Sequence, residues 1–168
     1  MKRNKFVYFS AILSLLVLTT GCSTEQENSH TTEQESSHNH QTTAHGDIRE
    51  ETKSIETLPS FLNDKDENIN LVYSQAAEHE ELLEFIPCYC GCGDSVGHKN
   101  NFDCFVHKKT DEEIIWDDHG TKCQACLEIA AESIIMYEKG ESIKNIRNYI
   151  DKNYSEGYAK PTPTPMPA

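Results

Sequence analysis

Pro87-Cys88-Tyr89-Cys90-Gly91-Cys92-Gly93 is the stretch on which the reading of this chain turns. In extended backbone, side chains two apart share a side. Three sulfurs then converge while Tyr89 and Gly91 point away. The glycines let the chain turn tightly around whatever the sulfurs hold. A disulfide between residues only two apart would close a small, strained ring. Such a segment belongs in a loop, and the expected fold is arranged around it.

Upstream, Asn70 to Phe85 reads as a helix with Leu71, Val72, Ala76, Leu82, Leu83 and Phe85 as its apolar residues, stopped by Pro87. His79 and the acidic run Glu78 to Glu84 read as its solvated face. Downstream, Cys88 to Gly120 carries Gly and Asn and no long helical period, with a short extended piece at Glu113–Trp116. Thr121 is a candidate N-cap with Gln124 as its capping-box partner. That helix would end at Lys139, with Gly140 as its stop. Ser142 can cap a last helix in which Ile143, Ile146, Tyr149 and Ile150 share a face. The expected fold class is therefore mostly α: a small domain of about three helices with a large Cys/His-bearing loop.

The ends read differently. Lys2, Arg3 and Lys5 precede an apolar run from Phe6 to Leu18, shorter than the about 20 residues a spanning helix needs and within the signal-peptide range. The run leads into Gly21-Cys22-Ser23, which resembles a bacterial lipobox with Cys22 as the lipidated residue. Residues 22–57 are polar, repeat Thr24–His30 weakly as Thr32–His38, and hold His30, His38, His40 and His45. They read as a disordered tether that could collect metal. Residues 155–168 end in alternating prolines and read as a frayed, polyproline-like tail. The expected organisation is a signal peptide at 1–21, a lipid-anchored tether at 22–57, a Cys-rich helical domain at 58–154 and a tail at 155–168. The lipid would hold the chain on the outer face of the cell membrane, away from a cytosolic thiol buffer.

Composition narrows the function. The 168 residues carry a formal net charge of −13, which argues against nucleic acid as a partner. The mean hydropathy is −0.65, and one apolar run alone excludes a polytopic membrane protein. Gly-rich phosphate loops, Gly-x-Ser-x-Gly and His-Glu-x-x-His are absent from the sequence, so hydrolytic and nucleotide chemistry find no support.

Of the seven cysteines, Cys22 is set aside for lipid. The others form two groups, Cys88, Cys90 and Cys92, then Cys104, Cys123 and Cys126, with His98, His107 and His119 among them. Soft thiolates gathered this way suit copper or zinc. Cys123 and Cys126, three apart at a helix start, lie on one face. The helix N-terminus favours thiolate there. Leu127 stands where attached haem would need His. Cys104-Phe105-Val106-His107 carries metal-ligand spacing but is weak alone. Asp117 and Asp118 could orient His119. Three readings stay open: a metal site, a disulfide framework that staples a small domain, and a working redox pair.

The Pro87–Gly93 segment also resembles the signature of a bacterial lipoprotein family named for its Pro-Cys-Tyr-Cys-Gly-Cys motif. The same family pattern continues as Gly97-His98, Cys104-Phe105, Trp116-Asp117-Asp118-His119-Gly120, Cys123-x-x-Cys126 and Ile146-Arg147-Asn148-Tyr149-Ile150-Asp151. The resemblance covers Leu58 to Tyr154, implies the lipoprotein reading and brings no established activity. The last two helices, from Cys123-x-x-Cys126 through Gly140-Glu141-Ser142-Ile143, are similar to the thiol-oxidoreductase domain of cytochrome c maturation proteins. That likeness implies a dithiol–disulfide cycle at Cys123 and Cys126.

Taken together, the sequence reads first as a membrane-anchored, extracytoplasmic protein that binds copper, or zinc second, for holding or delivery and without turnover. The candidate ligands are Cys88, Cys90, Cys92, Cys104, Cys123, Cys126, His98 and His119. An envelope metalloprotein or redox protein is the expected partner. The alternatives are a thiol–disulfide oxidoreductase using Cys123 and Cys126, and a disulfide-stapled interaction module.

Overall fold

A computed structural model describes residues 40–168. The signal-like segment, the lipidation candidate Cys22, and His30 and His38 lie outside the described residues. Four strands form one antiparallel sheet: β1 (His40–Thr42), β2 (Ile48–Thr52), β3 (Val106–Lys109) and β4 (Ile114–Asp117), in the order β1-β2-β4-β3. Five helices accompany it: α1 (Glu67–Glu78), α2 (Glu80–Leu83), α3 (Cys92–Ser95), α4 (Gln124–Glu138) and α5 (Ile143–Tyr154). Short 3-10 turns cover Ser60–Leu62, Phe102–Cys104 and Asp118–Lys122. The expectation of a mostly helical, roughly three-helix domain is overturned, and the described residues form a mixed α/β fold.

Strand β2 escaped sequence reading because its inward positions are polar. In β2, Glu50 and Thr52 are buried, which breaks the apolar alternation that marks a half-buried strand. Glu50 accepts hydrogen bonds from the Ser60 backbone N–H at 2.8 Å and from its hydroxyl at 2.9 Å. Thr52 Oγ1 accepts from Trp116 Nε1 at 2.8 Å. Buried polar groups are tolerated when paired in this way. β2 pairs with β4 in the register Arg49–Asp117 and Glu50–Trp116. The sheet thus draws two strands from the segment expected to be a tether. β4 matches the extended piece expected near Glu113–Trp116.

The predicted 70–85 helix is two helices, broken at His79. Its Nδ1 turns back onto the Gln75 carbonyl oxygen at 2.9 Å, and its ring meets Tyr137 edge-on at 5.9 Å, so His79 is half-buried rather than solvated. α4 packs on α1, α2 and α5. Ile129, Ala130 and Ile134 of α4 join Tyr73, Ala76 and Ala77 of α1, Leu82 and Leu83 of α2, and Ile146 and Ile150 of α5 in one core. Trp116 and Phe105 close it from the sheet side. Ser142 caps α5 by accepting from Asn145 N–H, whereas α4 is capped by Cys123, two residues beyond Thr121. Among the described residues no helix is long and apolar enough to cross a membrane.

The proline-rich end, expected to fray, runs against the cysteine segment. Ala159 N–H donates to the Tyr89 carbonyl and Thr162 N–H to the Cys88 carbonyl, each at 2.9 Å. Cys88 N–H donates back to Thr162 Oγ1 at 2.9 Å. Arg147 of α5 holds this strap from beneath, through the Pro165 carbonyl at 3.0 Å and the Phe85 carbonyl at 3.1 Å.

Candidate metal centre

Five pieces of chain deliver the eight expected ligands to one place. Cys88 and Cys90 lie on the extended segment after α2. Gly91, at φ 89°, is in the left-handed region that glycine enters without a Cβ penalty, and it turns the chain so that Cys92 opens α3. Cys104 ends the turn Phe102–Cys104, His98 follows α3, and His119 lies in the turn Asp118–Lys122. Cys123 caps α4 and Cys126 sits in its first turn. Tyr89 points away, as alternation requires, and donates to Asp151 Oδ1 at 2.7 Å.

The sulfurs form a contiguous array. Cys88 Sγ lies 3.1 Å from Cys126 Sγ and 3.3 Å from Cys90 Sγ, and Cys126 Sγ lies 3.4 Å from Cys90 Sγ. Cys92 and Cys104 Sγ are 3.9 Å apart. The ligand atoms of Cys92, His98, Cys104 and His119 all lie within 4.8 Å of one another, as do those of Cys90, Cys123 and Cys126. All six cysteines among the described residues are free, so these residues do not hold the disulfide framework weighed from the sequence. Cys88, Cys92, Cys104 and Cys126 are buried, and Cys90 and Cys123 are half-buried. The cluster is closed on most sides and open at Cys90, Cys123 and His119.

Hydrogen bonding sorts the thiols. Cys90 is held well below the usual thiol range, first by Cys123 and then by Cys126, Cys88 and Cys92. For Cys104 burial is the largest influence and pushes up. Contacts with Cys126, Cys88, Cys92 and His98 outweigh it and hold Cys104 low. The donors Cys88 and Cys126 are pushed up, each chiefly by its bond with Cys104. Each low sulfur has an imidazole beside it. His98 Nδ1 is 3.4 Å from Cys104, and His119 Nε2 is 3.9 Å from Cys90. His119 is raised to about 9, first by Cys90. The thiolate expected at the start of α4 is not found at Cys123, which is pushed up: its bond with Cys126 lowers it, but Cys90 and burial prevail.

Carboxylates beside the cluster complete its frame. Asp47, at the end of the β1–β2 turn, places Oδ2 3.4 Å from His119 Nδ1. The sequence pointed to Asp117 and Asp118 for this role. Asp117 instead accepts from the His119 backbone N–H at 3.0 Å, and Asp118 accepts from Ile48 N–H at 2.8 Å. Asp47, Asp117 and Asp118 crowd within 4.8 Å, but Lys122 pairs with Asp47 and Asp118, and Arg49 pairs with Asp117. Their charges are answered by the protein itself. His107 is exposed on β3, 3.2 Å from Arg49 Nη1, outside the cluster, and His45 is exposed. Asn101 was not singled out in the sequence. It is buried and ties Ile86 to Cys126, its N–H donating to the Ile86 carbonyl and its Nδ2 to the Cys126 carbonyl.

A family model described as a protein of unknown function with PCYCGC motif matches residues 11–167. No curated protein matches the chain, and no solved structure does.

Proposed function

We propose, from the premise that the chain belongs to the PCYCGC-motif family, that it holds a soft metal, copper(I) first and zinc second, for storage or delivery. The observation that carries this reading is the convergence of six free thiols and two imidazoles into overlapping ligand sets. Water-poor thiolate clusters select soft ions, because hard cations seek oxygen. The half-buried Cys90 and Cys123 form the side from which an ion enters and leaves. A lipid on Cys22 would keep the protein on the outer face of the cell membrane, where His30 and His38, between the lipid and the sheet in sequence, would raise the local metal concentration. A redox cycle at Cys123 and Cys126 has less support. Cys126 is fully buried, and its sulfur packs against those of Cys88 and Cys90 rather than standing at the surface.

The test is to purify the full-length chain without oxygen, chelator or metal-affinity resin. Bound metals are measured by elemental mass spectrometry, and free thiols are counted on the same sample by alkylation. Near-stoichiometric copper or zinc, with thiols that react only after chelation, is the expected result. A reduced protein that takes up neither metal when offered both would overturn the reading.

A further inference from the structure

The eight ligands overlap, because Cys92 also lies within reach of Cys88 and Cys90, and Cys104 of Cys88 and Cys126, but they divide by ligand type. Cys92, Cys104, His98 and His119 form a complete four-ligand set. On a tetrahedral ion with bonds of about 2.3 Å to sulfur and about 2.0–2.1 Å to nitrogen, two sulfurs lie about 3.8 Å apart and a sulfur and a nitrogen about 3.5 Å apart. The Cys92–Cys104 separation is 3.9 Å and the Cys104–His98 separation 3.4 Å, so these two pairs already have the spacing of a tetrahedral centre, and His119 lies within 4.8 Å of all three partners. His119 carries the outer support usual for a metal-ligating imidazole, a carboxylate on its other ring nitrogen. The two imidazole rings stand edge to face, 4.8 Å apart.

The other four ligands are all sulfur. Cys88, Cys90 and Cys126 form a triangle with sides of 3.1, 3.3 and 3.4 Å, and Cys123 stands at its rim beside Cys90 and Cys126. A three-coordinate ion with the same bond length needs sulfurs about 4.0 Å apart, so this triangle must open on loading. Cys90 is half-buried and can swing outward toward the equally half-buried Cys123, and the buried Cys88 and Cys126, which form the shortest side, must draw apart as well.

We infer that the cluster is two adjacent metal subsites of different chemistry. One is a preformed two-sulfur, two-nitrogen site at Cys92, Cys104, His98 and His119 for a borderline divalent ion. The other is an all-sulfur site at Cys88, Cys90, Cys126 and Cys123 for a soft monovalent ion. This rests on the metal-binding reading and adds to it that copper and zinc occupy different places rather than compete. The divalent ion braces the buried half of the cluster. The soft ion sits on the side that can open and is the one exchanged.

The experiment uses the reduced, metal-free full-length chain under nitrogen, with Co(II) as the visible probe for the divalent subsite and Cu(I) supplied as its acetonitrile complex. About one equivalent of Co(II) should bind with the intense ligand-field bands of a tetrahedral sulfur and nitrogen centre, and should persist as Cu(I) loads beside it. The double variant His98→Ala/His119→Ala should lose the Co(II) bands and keep its full Cu(I) load. Cys123→Ser should weaken Cu(I) retention against a copper chelator about tenfold and leave the Co(II) spectrum unchanged. Removal of all Co(II) by the first Cu(I) added to the unmodified chain overturns the two-subsite arrangement while leaving the metal-binding reading intact. So do persistent Co(II) bands in the double variant. Binding of neither metal overturns both.

Discussion

Asp47 Oδ2 lies 3.4 Å from His119 Nδ1, so a residue from the first turn of the sheet orients the ring whose other nitrogen faces Cys90 at 3.9 Å. The turn that presents Asp47 is fixed locally. Thr43 N–H donates to the Asp47 carbonyl at 2.7 Å, and Asp47 N–H donates to Thr43 Oγ1 at 3.0 Å. Asp47→Asn keeps the shape and removes the charge. It should lower divalent-metal affinity about 10–100-fold, the usual effect of losing a support of this kind. The measurement is competition of Zn(II) against a calibrated chelator. An unchanged affinity would remove Asp47 from the site.

Gly120 is where the turn bearing His119 meets the turn bearing Cys104. A Cβ there would fall 2.7 Å from Phe105 Cε1 and 3.0 Å from the Cys104 carbonyl oxygen. Phe105 is fully buried and the carbonyl is backbone, so neither can give way cheaply. Gly120→Ala should cost about 1–3 kcal/mol of stability, the range for overpacking a filled interior. It should also push His119 away from Cys104. Urea unfolding of the metal-free protein reads the first effect, and metal affinity relative to the unmodified chain reads the second. A variant as stable as the parent would contradict the close approach.

Thr162 supplies the hydroxyl that accepts the buried Cys88 N–H at 2.9 Å. Thr162→Val retains the shape and leaves that donor without a partner. A buried unsatisfied donor costs about 1–3 kcal/mol, and the loosened Cys88 segment should also be alkylated faster in the metal-free protein. A variant with unchanged stability and unchanged alkylation would show that the strap does not steady the cysteines.

The sequence carried the site better than the fold, for a physical reason. Metal-ligand chemistry is confined to few residue types, and all eight singled out by type and spacing stand together in the structure. Strands are recognised by apolar alternation, and β2 buries Glu50 and Thr52 instead. The partners that satisfy them, Ser60 and Trp116, are distant enough in the chain that no local pattern announces the strand. The same holds for Asp47. An acid in a polar stretch becomes an orienting group only because β2 pairs with β4 in the register that sets Arg49 opposite Asp117. The tail misled for the opposite reason: its composition reads as solvent-bound, but it packs through backbone hydrogen bonds, which composition does not encode.

Tyr73 tests whether the helical core holds the metal-binding turn. It is fully buried. Its hydroxyl donates to the Asp117 carbonyl at 2.8 Å and accepts from Thr121 N–H at 3.2 Å, so it grips both ends of the turn that carries His119. Tyr73→Phe removes one oxygen and leaves two backbone groups without this partner, and the penalty for stranded buried groups is about 1–3 kcal/mol. The comparison is Tyr137→Phe, whose hydroxyl reaches Glu81 at the surface. Water replaces that bond, so its loss should leave stability nearly unchanged. If the grip is real, Tyr73→Phe should also weaken Zn(II) binding while Tyr137→Phe leaves it unchanged. Equal losses in both variants, or a stability loss at Tyr73 with full metal affinity, would show that the turn keeps its shape without the core.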